Sequence, residues 1–272
     1  MKKLIDLVFI DVGGGHKTTA QSLWQGIQDT HSCLETRLFD LGKTELVASL
    51  DIFKPIIGIL GIDVYNFMLK QGWTQLEFIY LFLAKLSIRC RHQLGLQLLE
   101  KYWLLRQPDL VVSCIPLLNR VLRESLQNVL PETPFVTILT DFADCPPHYW
   151  MESQDQFLLC PTDQSVLQAQ LCHYRPDQIF RLSGLAIHPK FYQPVIVNRQ
   201  QERQRLGLDP DLPTGLVMFG SQGSQMMLKI AEYLAQSRLN LQLIFLCGKN
   251  KKLALTLSRR QYPFPKVVET FT

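Results

Sequence analysis

Residues 8–24 read VFIDVGGGHKTTAQSLW, and the fold turns on them. Leading into this stretch, Leu4, Ile5, Leu7, Val8, Phe9 and Ile10 form a short apolar run that ends at Asp11, as a buried parallel strand does. Gly13, Gly14 and Gly15 then turn the chain with no Cβ in the way. Beyond them Ala20, Leu23, Trp24 and Ile27 recur at helical spacing, which predicts a helix beginning near His16 or Lys17. Strand, glycine turn and helix start, in that order, aim backbone N–H groups and a helix dipole at whatever lies beyond the strand end. His16 stands in the turn and adds a group that exchanges a proton near neutral pH.

Two familiar glycine motifs are excluded. A P-loop needs a glycine directly before Lys-Ser/Thr, and His16 occupies that place. The dinucleotide fingerprint fails because Gly13-x-Gly15 is followed by Thr18 where a third glycine or alanine belongs. A tight strand-to-helix turn with an incidental surface histidine is the plain alternative to a catalytic one.

The chain has 272 residues, room for one large domain or two ordinary ones. Hydrophobic residues make up 47% and charged residues 19%, which supports a sizeable core and argues against disorder. The net charge of +4 is mild and compatible with anionic phosphates or lipid surfaces. No RRM, KH or zinc-finger pattern occurs, and no basic tract is interleaved with aromatics, so no nucleic-acid partner is expected. Cys33, Cys90, Cys114, Cys145, Cys160, Cys172 and Cys247 include no C-x-x-C pair, which predicts reduced, mostly buried thiols in a cytoplasmic protein. Cys172-His173 lacks partners at ligand spacing, so no metal is expected. Asp6 and Asp11 interrupt the N-terminal apolar run and no small-residue cleavage site follows, which makes it strand one and not a signal peptide. No stretch reaches the roughly 18 apolar residues of a spanning helix.

Residues 34–41 alternate like a strand, with Leu34, Thr36 and Leu38 on one side. From Val47 to Arg106 the chain is apolar and aromatic, with Ile56, Phe67, Trp73, Phe78 and Phe82. Its basic residues are Lys54, Lys70, Lys85, Arg89, Arg91, Lys101 and Arg106, and Pro55, Gly58, Gly61 and Gly72 divide it. Two or three core-packed helices account for the segment, and so does a surface that enters a lipid interface and meets anionic headgroups. Residues 108–114 and 135–139 read as buried strands, the second ending at Thr140-Asp141, with a helix around Leu122 between them. Strands at 157–160 and 179–183 follow, with a helix from 162 to 172. This alternation predicts a doubly wound parallel sheet with Asp11, His16, Cys114 and Asp141 along the rim at its carboxyl ends. Residues 184–194 look like a linker. A second series then begins, with strands near 216–219, 241–246 and 266–271, a glycine turn at Gly220-Ser-Gln-Gly-Ser224, and helices at 225–235 and 249–260.

The runs FIDVGGGHKTTAQSL, LTDFADCPPHYWMESQDQFLLCPT, RPDQIFRLSGLAIHPKFYQP and LVMFGSQGS resemble the monogalactosyldiacylglycerol synthase family, which stands with the MurG-like glycosyltransferases and the processive diacylglycerol glucosyltransferases. The resemblance runs from about residue 5 to 235. It implies an α/β fold of GT-B type, two Rossmann-like domains facing a cleft: residues 1–192 for the acceptor, a linker at 193–212, and the beginning of a nucleotide-sugar domain at 213–272. The implied reaction is inverting transfer of a hexose from UDP-galactose or UDP-glucose to diacylglycerol, by an enzyme peripheral on an anionic membrane and without a tightly bound cofactor or metal. The family's GGGH motif falls on Gly13, Gly14, Gly15 and His16, with His16 as candidate general base. Asp141 is then the group that orients or assists it, with Asp11 as runner-up. Gly220, Ser221, Gly223 and Ser224 match the turn that meets the donor diphosphate. Val12 replaces the plant-type threonine, and CPPHYW at 145–150 replaces CHPTWF. The family's Gly-Pro-Gly-rich donor block would follow residue 272, so a truncated, non-catalytic lipid-binding relic and a MurG-like transferase for another lipid acceptor both stay open.

Overall fold

Strand β1 (Lys3–Phe9) carries buried Ile5, Leu7, Val8 and Phe9, as a strand covered on both faces must. The computed structural model describes residues 2–11, 14–31, 33–51, 53–71, 73, 76–237 and 239–271; Gly13 and Gly72 lie outside them, as does the side chain of Lys70. Asp6, which breaks the apolar run in the sequence, is fully buried as well. Arg37 Nε, Arg106 Nε and Arg106 Nη2 donate to its carboxylate at 2.9, 2.7 and 2.9 Å, so two guanidinium groups replace the water it gives up.

Helix α1 (Gly15–Thr30) leads to β2 (Leu34–Asp40), which pairs parallel with β1 at the edge of the sheet. The expected alternation of Leu34, Thr36 and Leu38 does not hold: Leu38 is exposed, whereas Thr36 and Phe39 are buried. The two buried residues lie on opposite faces of the strand. Thr36 accepts from Gln28 of α1 at 2.9 Å, and Phe39 meets Trp103 ring to ring at 5.8 Å.

Between β2 and the next strand lie α2 (Glu45–Leu50), α3 (Phe53–Ile57), α4 (Gly61–Gln71), α5 (Glu77–Cys90) and α6 (His92–Arg106), more helices than the two or three expected. Helix α6 buries Leu96, Leu99 and Trp103, whose Nε1 donates to Ser125 Oγ at 2.9 Å. Core packing does not account for the whole segment. Ile56, Phe78, Phe82 and Leu105 are 76, 70, 62 and 83% exposed. Two of its basic residues serve the fold, Arg106 on Asp6 and Arg91 on the Ser49 carbonyl at 2.7 Å.

The first sheet is completed by β3 (Leu110–Ser113), α7 (Asn119–Val129), β4 (Phe135–Ile138), β5 (Phe157–Cys160), α8 (Asp163–Leu171) and β6 (Ile179–Arg181). Its order is β2-β1-β3-β4-β5-β6 and every pairing is parallel. The chain starts at β1, moves outward to β2, then crosses to β3 on the other side. The topological switch therefore falls between the carboxyl ends of β1 and β3.

Further on come α9 (Arg199–Arg205), β7 (Thr214–Met218), α10 (Met226–Gln236), β8 (Gln242–Leu246), α11 (Lys251–Arg259) and β9 (Lys266–Glu269). The strands form a parallel sheet β7-β8-β9 over Val217, Met227, Phe245, Leu253 and Leu257. Helix α9 lies where only linker was expected, and Asn198 caps it by accepting from the N–H groups of Gln200 and Gln201 at 3.0 and 3.1 Å. By their contacts the residues group into two compact units, Met1–Gly61 with Leu81–Gln193, and Ile62–Tyr80 with Pro194–Thr272. The cysteines are free thiols, but only Cys114, Cys160 and Cys247 are buried, while Cys33, Cys90 and Cys145 are exposed. Among the described residues no helix is long and apolar enough to cross a membrane.

Candidate active site

The site is built at the switch point of the first sheet. After β1 the chain passes Asp11 and reaches Gly14, whose φ of 91° lies in the left-handed region that glycine tolerates. Gly15 opens α1, one residue earlier than the sequence suggests, and no side chain caps this end. The Gly14 carbonyl instead takes the N–H and the hydroxyl of Thr18 at 3.1 and 2.7 Å. His16 is the second helical residue, so its imidazole leaves from the first turn, over the carboxyl ends of the strands.

Two strand ends meet that imidazole. Its Nδ1 lies 3.1 Å from Thr140 Oγ1, just past β4, and the Cys114 backbone, just past β3, is a further hydrogen-bond partner. The Trp150 ring stands edge-on at 5.8 Å. His16 is held below its ordinary value of 6.5 chiefly by burial, against the opposing pull of the Asp141 charge and the Cys114 backbone. Near neutral pH the ring is thus uncharged and able to accept a proton. Thr140 can donate to Nδ1 or accept from it, so this contact survives either protonation state.

Asp141 is exposed, and its Oδ2 accepts the Trp150 indole N–H at 2.8 Å. It acts on His16 through its charge, with Thr140 and Trp150 making the contacts. Asp11 stands at the end of β1, but its carboxylate pairs with Lys17 Nζ at 2.6 Å. Cys114 is fully buried and its thiol is pushed up to about 12, so it stays protonated and is no nucleophile. Thr140, next to a residue singled out in the sequence, and Trp150, in a loop with no periodicity, are the site neighbours that sequence reasoning passed over. Gly13 lies outside the described residues.

The other candidates lie in the second unit. Gly220, Ser221, Gly223 and Ser224 follow β7 and precede α10. This turn interlocks with the one after β8: Lys249 N–H donates to the Ser221 carbonyl at 2.7 Å and Asn250 Nδ2 to the Gln222 carbonyl at 3.3 Å. A Cβ on Gly223, whose φ is +62°, would come within 2.7 Å of the Cys247 carbonyl. A surface cleft of about 410 Å³ lined by Ser153, Asp155, His173 and Arg175 belongs to the amino ends of β5 and β6, the opposite end of the sheet from His16. Among the described residues no group of three His, Cys, Asp or Glu is arranged to hold a metal ion.

No family model matches the chain. It is 30% identical over 293 aligned positions to the rice (Oryza sativa subsp. japonica) protein called probable monogalactosyldiacylglycerol synthase 3, chloroplastic, covering 99% of this chain and 54% of that one. It is 28% identical to Arabidopsis thaliana monogalactosyldiacylglycerol synthase 1, chloroplastic, covering 99% of this chain and 51% of that one. The chain thus spans about half the length of the curated relatives it matches. Among solved structures, the UDP-GlcNAc 2-epimerase of Neisseria meningitidis bound to UDP-GlcNAc superposes with a TM-score of 0.55 at 10% identity, covering 98% of this chain and 72% of that one. The Anabaena protein HepE, in complex with UDP and glucose, does so at 0.50 and 13%, covering 99% and 70%. At such identities these structures bear on the fold alone, which is α/β of GT-B type.

Proposed function

We propose that this chain, a relative of the monogalactosyldiacylglycerol synthases with a fold of GT-B type, takes part in transferring a hexose from a UDP-sugar to diacylglycerol at a membrane surface. In this reading residues 1–192 hold the acceptor, 193–212 link, and 213–272 contribute to donor binding. The observation that carries it is the half-buried imidazole of His16, held against Thr140 and Trp150 at the switch point of a parallel sheet, in a chain whose relatives bear that name.

His16 takes the proton from the free hydroxyl of diacylglycerol as the oxygen attacks the anomeric carbon of the donor. A glycosidic C–O bond forms, the C–O bond to the diphosphate breaks, and UDP leaves with the electron pair, inverting the anomeric centre. The imidazolium so formed is stabilised by the charge of Asp141 and stays in hydrogen-bond contact with Thr140. Gly14, at a φ of 91°, makes the turn that brings His16 to the strand ends. The turn of Gly220, Ser221, Gly223 and Ser224, at the start of α10, offers backbone N–H groups to the donor diphosphate. The relatives' names favour galactose as the sugar. Exposed Phe82 and Leu105, with exposed Lys54, Arg89 and Lys101 of the same unit, suit a peripheral seat on an anionic membrane facing the cytoplasm.

The test is to express the full chain in a bacterial host that makes no glycosyl-diacylglycerol and to analyse the lipid extract by mass spectrometry, while titrating UDP-galactose and UDP-glucose by calorimetry. A hexosyl-diacylglycerol product supports the proposal. A hexose on a different lipid replaces the acceptor. Neither product nor donor binding would overturn the reading.

A further inference from the structure

The chain between β4 and β5 has no regular structure around residues 141–151, yet one side chain gathers much of it. Asp144 is 3% exposed, and its carboxylate accepts three backbone N–H groups: Tyr149 and Trp150 on Oδ1 at 2.9 and 2.6 Å, and His148 on Oδ2 at 2.8 Å. The backbone of Asp144 is fixed in turn by α8. Its N–H donates to Gln168 Oε1 at 2.9 Å, and its carbonyl accepts from Gln168 Nε2 at 3.0 Å. Hydrogen bonds to an ionised acceptor are roughly twice as strong as neutral ones, and here three converge on one buried group. His148 has a φ of 60°, a left-handed conformation that a non-glycine residue keeps only when its surroundings impose it.

These bonds end at Trp150, which is fully buried. Its ring stands 5.8 Å from His16, and its indole N–H lies on Asp141 Oδ2 at 2.8 Å. Asp144 on the N–H side, with Asn119 Nδ2 on the Trp150 carbonyl at 3.2 Å and the Leu117 N–H on the Tyr149 carbonyl at 2.8 Å, fixes the backbone that places the tryptophan, and the tryptophan touches both groups of the candidate site.

We propose that Asp144 is a positioning residue: by gathering the N–H groups of residues 148–150 it sets the Trp150 indole between Asp141 and His16, and so holds the imidazole in the orientation that proton transfer requires. The purpose rests on the glycosyl-transfer reading, but the arrangement does not. The charged or titratable groups around Asp144 are Lys85 of α5 and, beyond α8, Cys172 and Tyr174. Those acting on His16 are Asp141 and the Cys114 backbone.

The experiment uses the full chain labelled in histidine and tryptophan, as wild type, Asp144→Ala and Asp144→Asn. NMR follows the titration of His16 and the hydrogen exchange of the Trp150 indole, and the transfer assay follows kcat and the donor KM. In Asp144→Ala the indole N–H should exchange about tenfold faster or more. The His16 midpoint should rise toward 6.5 as water reaches the ring. Turnover should fall by about 10²-fold at unchanged donor KM, as for a misplacement of about 1 Å. Asp144→Asn keeps the shape and one acceptor oxygen, and should shift both NMR signals the same way by less. Indole exchange and His16 titration that stay at wild-type values in the folded variants, whatever the melting temperature does, would overturn the proposal. An inactive wild type with the NMR shifts intact would count against glycosyl transfer and leave the positioning role standing.

Discussion

Replacing Asp6 by asparagine tests how β1, the strand that leads into the His16 turn, is held. The carboxylate is fully buried and takes three N–H donors at 2.7–2.9 Å, one from Arg37 of β2 and two from Arg106 of α6. Asparagine keeps the volume but removes the charge, leaving two guanidinium groups facing a neutral amide. Breaking a buried pair from one side costs about 3–5 kcal/mol. The Arg37 and Arg106 side chains are 29 and 23% exposed, so water can reach them in part. That places the expected loss near the lower end, about 3 kcal/mol, a large share of the roughly 5–15 kcal/mol that holds a native protein. Urea unfolding followed by fluorescence of buried Trp103 and Trp150 reads the loss. Arg106→Met, which removes two of the three bonds to Asp6 and the guanidinium over the Phe39 ring, should cost more than Arg37→Met, which removes one of the three and the bond from Arg37 Nη2 to the Arg106 carbonyl. A loss under about 1 kcal/mol for Asp6→Asn would show that the triad is an exposed surface cluster in effect and that burial has been misjudged.

Two further outcomes are expected. Because His16 titrates below 6.5 in the folded chain, the unfolded chain binds more protons at acid pH, so stability present above pH 6.5 is lost as pH falls through the folded value. Urea midpoints at stepped pH should fall less steeply for His16→Gln than for wild type, and parallel slopes would refute the desolvated imidazole. In the second unit, Gly223→Ala combines a φ of +62° with a Cβ only 2.7 Å from the Cys247 carbonyl, and should cost about 1–3 kcal/mol by thermal unfolding. A neutral substitution would mean that the two turns do not interlock.

The strands that frame the candidate site were legible because each is a short apolar run ending in a polar residue. Residues 135–139 ending at Thr140-Asp141 became β4 (Phe135–Ile138), and the run before Asp11 became β1. The rim of Asp11, His16, Cys114 and Asp141 followed from parallel topology alone. Other features depend on contacts that no periodicity encodes. Helix α9 is polar all round and gives no apolar stripe to detect, although Asn198 before Gln200 and Gln201 is a cap signal. Leu38 alternates correctly but faces outward, because β2 is covered by α1 at one residue and by α6 at another. Asp6 looked like an interruption, since its arginine partners lie 31 and 100 residues away. Asp144 precedes Pro146-Pro147, a turn signal, but nothing in the sequence says that its carboxylate reaches the N–H of Trp150.

The most direct test is the rate of hexosyl transfer from UDP-galactose to diacylglycerol in mixed micelles containing anionic lipid, for wild type and for His16→Ala. Donor binding and circular dichroism are recorded on the same samples. If His16 takes the acceptor proton, kcat falls by about 10²–10⁴-fold while donor affinity and fold are retained. A His16→Ala chain that turns over at close to the wild-type rate would contradict the assignment of the switch-point imidazole as the base.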